Sequence, residues 1–267
     1  MNKVYEVLGG WGRQLFGFFK SVRQFFLLSW QTFKWLLTAP LSRKKIEWHD
    51  VFVQMVRIGV DSLPIVIVIS FFIGLILAMQ AAYQLHQFGA SIYVANLVGV
   101  SITRELGPLI TAILVSGRCG SAIAAELGTM KVGEEIDALK TMSIDPIGFL
   151  AVPRTLAMVV VLPCLTILAD LVGIGGGVLF AVTQLEIPFS AYFRQSAEAI
   201  LAKDFLTGLI KSGVFAVIVS QIGIYQGFQV RGGAEGVGKS TTISVVSAIF
   251  LIILADVLFT ALFYSTF

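Results

Sequence analysis

Two adjacent ionisable residues, Arg104 and Glu105, lie inside a long apolar stretch and are followed by Leu-Gly-Pro at 106–108. Charged side chains within a membrane-spanning helix are costly unless they are paired or face a polar cavity. Neighbours on a helix point about 100° apart, so these two cannot both turn away from the same lipid face. Gly107 and Pro108 weaken the helix directly after them, and we expect a kink or break there. The pattern indicates a polar point on a substrate path or, alternatively, a buried ion pair that holds helices together; for Glu105 we favour the first.

Three further apolar stretches each contain one isolated charge, Asp170, Lys211 and Asp256. Each residue could relay a proton or bind a coupling ion, but charges within a helical bundle more often pair with one another. We therefore expect pairing among these three. After Asp170, glycines at 173, 175, 176 and 177 have the small-residue spacing that lets helices pack closely.

Residues 233–240, GAEGVGKS, match the phosphate-binding loop pattern G-x-x-x-x-G-K-S. We reject this match because a phosphate loop follows a strand of a parallel sheet, whereas this segment joins two apolar stretches. Only 27 residues follow Ser240, which is too few for a nucleotide-binding domain. We expect a glycine-rich turn in which Ser240 or Thr241 caps the last helix, and we expect this chain to bind no ATP.

The composition indicates what positions these residues. Of 267 residues, 57% are hydrophobic and only 13% are charged, whereas a soluble domain carries about a quarter charged residues. The surplus of apolar side chains therefore needs lipid, and a net charge of +3 is too small to indicate nucleic-acid binding. The two cysteines lack a CxxC spacing and there are only two histidines, so neither a redox motif nor a histidine-based zinc site is expected.

Five apolar stretches are long enough to cross the hydrocarbon core as helices, which takes about 20 residues. They cover residues 62–80, 98–125, 156–182, 205–228 and 242–264. Nine Lys and Arg residues precede the first stretch and none lies between the first and second. By the positive-inside rule, we predict a cytoplasmic N-terminus and an external C-terminus. The predicted fold is an all-α integral membrane protein with one transmembrane domain over residues 51–267.

Residues 11–37 are interpreted as an amphipathic helix that lies in the membrane interface, not as a sixth span. Its basic residues and glutamines fall within an arc of about 100° on a helical wheel, and the remainder is mostly aromatic and aliphatic. Pro40 would end this helix, and the basic run at 43–45 would meet the cytoplasmic headgroups. We assign residues 1–50 to this helix and its connector. The alternative is a soluble, partner-binding helix.

Residues 131–146, KVGEEIDALKTMSIDP, form an amphipathic segment between the second and third spans. Ile136, Leu139 and Met142 fall near one face of a helix over this segment, and Pro146 would end it. A short helix exposed between two spans is the kind of element that a membrane subunit inserts into a soluble partner. The alternative is a solvated connector.

These segments together resemble the MlaE (YrbE) family of ABC transporter permeases, from about Arg57 to the C-terminus. The resemblance is carried by RELGP at 104–108, GRCGSA at 117–122, AELG at 125–128, the segment 134–139 with Asp145-Pro146, Lys211-Ser212 and Thr241-Thr242.

The resemblance implies a homodimer at the centre of an envelope-lipid transport system in the bacterial inner membrane. It implies a cytoplasmic ABC ATPase, an external MCE-domain substrate-binding protein and sometimes a STAS-domain subunit. The cargo would be phospholipid or a related lipid moved between the inner and outer membranes. This chain would then be a non-catalytic subunit without a cofactor or metal, and the ATP would be used by its partner.

The resemblance also implies roles for particular residues. The coupling helix that contacts the ATPase would consist of Glu134, Glu135, Ile136, Asp137, Ala138 and Leu139, with Met142 beside it. Glu105, with Arg104 nearby, would lie by an outward-opening lipid cavity between the two copies. Leu77 and Phe88 would line that cavity.

Two other classes of function stay open. A proton-coupled secondary transporter would use Glu105, Asp170 or Asp256, and it would transport without a partner chain. Such transporters usually contain an internal repeat, which the sequence does not display. An intramembrane enzyme would need a nucleophile–base pair or a metal cluster, and the sequence displays neither.

Overall fold

The computed structural model describes residues 22–38 and 47–266. Within these ranges the regular elements are all helices, and five are long and apolar enough to cross a membrane. These five are Trp48–His86 (α2), Ser91–Val132 (α3), Ile147–Gln184 (α5), Ala202–Phe228 (α7) and Gly233–Thr266 (α8). The shorter helices are residues 22–38 (α1), Glu135–Thr141 (α4) and Phe189–Ala199 (α6). The predicted all-α membrane fold is confirmed.

The spanning helices extend beyond the predicted apolar stretches. The first begins at Trp48 and the last at Gly233, each well before the apolar residues start. The predicted glycine-rich turn at 233–240 is therefore wrong, because this segment forms the first two turns of α8. The hydroxyls of Thr241 and Thr242 donate to the carbonyl of Gly238 at 2.6 and 3.2 Å, inside the helix and not at its start.

Helices α2 and α5 pack through glycines. A Cβ added to Gly74 would lie 1.8 Å from the carbonyl oxygen of Gly173, and one added to Gly176 would lie 2.2 Å from a backbone carbonyl of α2. The two backbones can touch only because these positions lack side chains. The predicted role of the α5 glycines in close packing is thus confirmed for Gly173, Gly176 and Gly177, whereas Gly175 faces open space.

The five spans are not equally buried. Helix α7 is the most buried, and Phe215 from it packs with Leu127 of α3 and Leu162 of α5 in the largest hydrophobic cluster. Helix α8 is the least buried, and most of its apolar side chains face outward. Helix α7 therefore forms the centre of the bundle and α8 one of its sides.

Helix α1 lies against the end of the bundle that carries α4. The ring of Phe25 meets that of Tyr225 edge-on, with the centroids 5.8 Å apart. Trp35 covers Gly148, where an added Cβ would lie 2.4 Å from the indole. This helix is the described part of the one predicted over 11–37; its earlier residues, Pro40 and the basic run at 43–45 lie outside the described residues. Its location in the membrane interface stays a prediction.

Candidate functional site

Helix α3, which carries Arg104 and Glu105, contains two π-helical turns, Ile102–Leu106 and Ser116–Gly120. Turns of this kind insert one extra residue into a helix and occur often at functional sites. After the first turn, the amide of Gly107 donates to the carbonyl of Ile102, five residues back. A π turn therefore stands immediately before the Gly-Pro pair, and the helix continues through this pair to Val132, so a break there is wrong and a kink stays a prediction.

Glu105 extends from this turn toward α7 and α8. Lys211 on α7 forms a short ion pair with Glu105 Oε2 and donates to Thr260 Oγ1 at 2.8 Å. Thr260 Oγ1 in turn lies 3.2 Å from Glu105 Oε1. Lys211 Nζ is also 2.9 Å from Asp256 Oδ1, in an ion pair that lacks hydrogen-bond geometry. The Lys211 side chain is 0% exposed, whereas that of Glu105 is 31% exposed, so the cation is sealed and the carboxylate is partly open.

Arg104 lies beside this group and faces a different partner. Its Nη1 is 3.7 Å from Asp204 Oδ1, and its Nε is 4.0 Å from Glu105 Oε1. The other Asp204 oxygen accepts the backbone N–H of Leu201 at 3.2 Å, at the start of α7. We call Arg104, Glu105, Asp204, Lys211 and Asp256 the polar cluster. With three carboxylates and two cations it has a net charge of −1, so it can accept one further positive charge.

The expected pairing among the three isolated charges is confirmed for Lys211 and Asp256. It is wrong for Asp170, because Oδ1 of this buried carboxyl has no hydrogen-bond partner and no ion pair joins it to another described residue. The sequence analysis did not single out Thr260. It stands four residues after Asp256 and thus on the same helix face, which is the signal that indicates it.

A second polar group ties α3 to α2 and α5 near the end that carries α4. Arg118 Nη2 is 3.0 Å from an Asp61 carboxylate oxygen. Glu126 is held by Arg57 at 3.0 Å and by the buried Arg154 at 2.9 Å. The residues of the GRCGSA and AELG segments therefore join neighbouring helices, and nothing in their spacing reveals Arg154 as a partner.

The predicted coupling segment forms the short helix α4. Glu134, directly before it, has a left-handed backbone with φ of 59°. Lys131 and Lys140 each donate to Asp137 at 2.8 Å. These hydrogen bonds lower the pKa of Asp137 from 3.8 to about 2. The carboxylate therefore stays ionised at neutral pH and holds α4 to the end of α3.

The apolar side of α4 is not simply exposed. Ile136 is 4% exposed and belongs to the main hydrophobic cluster, while Leu139 is half-buried against the same cluster. The prediction that these residues share an exposed apolar face with Met142 is therefore wrong for Ile136, since the apolar periodicity reports packing within the chain. Met142 is 62% exposed. Glu134, Glu135 and Ala138 are also exposed.

The four predicted lipid-binding residues occupy different parts of the fold. Arg104 and Glu105 belong to the polar cluster of α3, α7 and α8. Leu77 lies on α2 and packs half-buried against a cluster that includes Ile102 of α3. Phe88 lies in the turn after α2 and is 81% exposed. Among the described residues there is no group of three or more His, Cys, Asp or Glu side chains that could hold a metal ion.

Comparison with known proteins matches this architecture to one family. The sequence model of the Permease MlaE family matches residues 51–262. A probable ABC transporter permease protein of Rickettsia conorii is 37% identical over 98% of this chain and 99% of its own length. The intermembrane phospholipid transport system permease protein MlaE of Haemophilus influenzae is 34% identical over 98% and 99%. The chloroplastic protein TRIGALACTOSYLDIACYLGLYCEROL 1 of Arabidopsis thaliana is 36% identical over 83% of this chain and 63% of its own length. The chain belongs to the MlaE family of ABC transporter permeases.

Proposed function

We propose that this permease moves phospholipid or a related lipid between the inner and outer membranes of a bacterium, driven by a separate cytoplasmic ATPase. The name of the Haemophilus influenzae relative, an intermembrane phospholipid transport permease, supports the cargo. The polar cluster supports the place at which the lipid headgroup is proposed to contact the chain. In this proposal the chain lies in the inner membrane with its N-terminus in the cytoplasm and its C-terminus in the periplasm.

The observation that carries the proposal is the partly open carboxylate of Glu105 within a net negative cluster. Lys211 is fully buried on the inner side of Glu105, so it does not cover the exposed part of this carboxylate. A positively charged or zwitterionic headgroup can therefore approach Glu105 without displacing Lys211. A headgroup amine at this point would balance the charge that the protein leaves unmatched, and water would solvate it. Leu77 and Phe88 are proposed to line the same outward-opening cavity once two copies meet.

The homodimer is proposed because α8 leaves a broad apolar surface outward, on the helix that contributes Asp256 and Thr260. The ATPase is proposed to bind the exposed side of α4, which presents Glu134, Glu135, Ala138 and Met142. An MCE-domain substrate-binding protein on the periplasmic side and, in some systems, a STAS-domain subunit would complete the transporter. Lipid entry and ATP hydrolysis would then occur at opposite ends of the bundle.

The chain itself is proposed to bind neither ATP nor another cofactor. Residues 233–240 begin a helix, so Gly238, Lys239 and Ser240 do not form a loop that could wrap a phosphate. Nucleotide binding by the purified chain, freed of partner ATPase, tests this. Saturable ATP binding that disappears in Lys239→Ala would overturn it.

The test of lipid transport is Glu105→Gln in vesicles that contain the permease and its ATPase. The glutamine oxygen can still accept from Lys211, and Asp256 still pairs with that lysine, so the fold should remain stable. We expect normal yield, melting temperature and ATPase association but impaired lipid transfer. Photo-crosslinkers at Leu77 and Phe88 should capture lipid, with Ile249 of α8 as the comparison position. Normal transfer by Glu105→Gln would remove this residue from the lipid path.

A further inference from the structure

Asp170 is a buried carboxyl group that the proposed lipid path does not use. It lies in the middle of α5, and its Oδ1 contacts the backbone of α3 at Gly107. A Cβ added to Gly107 would lie 1.7 Å from this oxygen. The carboxyl group therefore occupies the space that a side chain at Gly107 would need, directly after the π turn that carries Glu105.

The surroundings of Asp170 offer it no counter-charge. A small cavity of about 10 Å³ lies beside Gly107 between α2, α3 and α5, and it is lined mainly by apolar atoms with Ser70 as its polar side chain. That volume is about the size needed for one water molecule. Glu105 and Arg104 stand two and three residues before Gly107 on α3, and both have other partners: Glu105 pairs with Lys211 of α7, and Arg104 pairs with Asp204.

Three other aspartates of the spanning helices, Asp61, Asp204 and Asp256, differ from Asp170 in having a cation. Asp61 pairs with an arginine at 3.0 Å, Asp204 with an arginine at 3.7 Å and Asp256 with a lysine at 2.9 Å. Asp170 is only 5% exposed, and Oδ1 has no partner. An ionised carboxylate in such a site is far more costly than a neutral one, and a group that lacks a cation escapes this cost by binding a proton.

We propose that Asp170 is a proton-binding site within the membrane domain and that the folded chain holds it as the neutral acid. The neutral group can press against Gly107, whereas a charged one would be driven toward water and away from α3. Because Gly107 adjoins the π turn, Asp170 acts as a positioning residue for Glu105. Release of its proton would loosen the contact between α5 and that turn.

Infrared spectroscopy of the wild-type permease tests the protonation state directly. The chain is labelled with carboxyl-¹³C aspartate, and we expect a protonated-carboxyl band at neutral pH that shifts with the label. The same band should be absent from Asp170→Asn and present in Asp204→Asn, whose carboxylate is also buried but paired. A wild-type spectrum without a labelled protonated-carboxyl band, or a band that survives in Asp170→Asn, would overturn the proposal.

The pH dependence of unfolding gives a second test. If the folded chain binds one more proton than the unfolded chain, the unfolding equilibrium constant rises about tenfold per pH unit. We expect Asp170→Asn to lack this slope and Asp204→Asn to keep it. Lipid transfer by the wild type with its ATPase should also fall as the pH rises, and this fall should be flattened in Asp170→Asn. Equal slopes for wild type and Asp170→Asn would refute proton binding. So would a wild-type chain whose unfolding responds to the sodium concentration and not to pH.

Discussion

Replacement of Lys211 by methionine should destabilise the permease more than any other single change in the polar cluster. Methionine has a similar length and keeps the packing of this fully buried side chain, so the main loss is its charge. The net charge of the cluster then changes from −1 to −2, and two carboxylates, Glu105 and Asp256, lose their nearest cation.

The size of the effect follows from how buried each orphaned carboxylate is. Removing one partner of a buried ion pair costs about 3–5 kcal/mol. Glu105 is partly open and can regain water, whereas the Asp256 side chain is largely buried and cannot. We therefore expect a loss near the lower end, about 3 kcal/mol, most of it from Asp256. The double change Lys211→Met with Asp256→Asn returns the net charge to −1 and should recover most of this loss.

The assay is reversible unfolding of the purified permease in mixed micelles, with the free energy compared across four proteins. These are the wild type, the Lys211→Met variant, the double variant and a control, Lys239→Met, in which an exposed lysine of α8 is replaced. The control should change by less than about 0.5 kcal/mol. Unchanged stability of Lys211→Met, or a double variant no more stable than the single one, would refute the account of the cluster.

Three further predictions concern the ATPase, the helix packing and the topology. Met142→Asp should release the ATPase from a stable permease, whereas Ile136→Asp should destabilise the permease itself because its side chain is buried; co-purification and thermal stability distinguish the two. Gly74→Ala should cost about 1–3 kcal/mol or more by forcing α2 from α5, while Gly175→Ala, which meets open space, should be tolerated. A single cysteine at position 266, in a cysteine-free background, should react with an impermeant reagent from the periplasmic side, and labelling only from the cytoplasm would contradict the predicted orientation.

The fold could be predicted from the sequence because lipid imposes a simple rule. A span must present about 20 apolar residues, and the five stretches that satisfy this rule lie inside the five long helices of the structure. The rule has no information about helix ends that lie outside the hydrocarbon. Trp48 and Gly233 begin helices within segments that are amphipathic or rich in glycine, so an apolar window starts too late there.

The site was predicted less completely. A charge inside an apolar span indicates that it has a partner, but it does not indicate which residue that partner is. Asp256 and Lys211 were expected to pair, yet nothing in their spacing brings in Glu105, which lies 106 residues before Lys211. The prediction for the apolar face of helix α4 was wrong at Ile136 for a related reason. Its apolar periodicity predicts one buried face, but not whether that face is covered by a partner or, as for Ile136, by the chain's own core.

Access to water or lipid, and not charge alone, separates the roles within the polar cluster. Lys211 is enclosed by Glu105, Asp256 and Thr260, so an incoming phosphate would have to displace two carboxylates to reach it. Arg104 and Glu105 are each 31% exposed and lie 4.0 Å apart, so they present a positive and a negative group side by side. Lys211 therefore acts as an internal counter-charge for Glu105 and Asp256. Arg104 and Glu105 are the open members of the cluster, and in the proposed function they are the ones that a headgroup would contact.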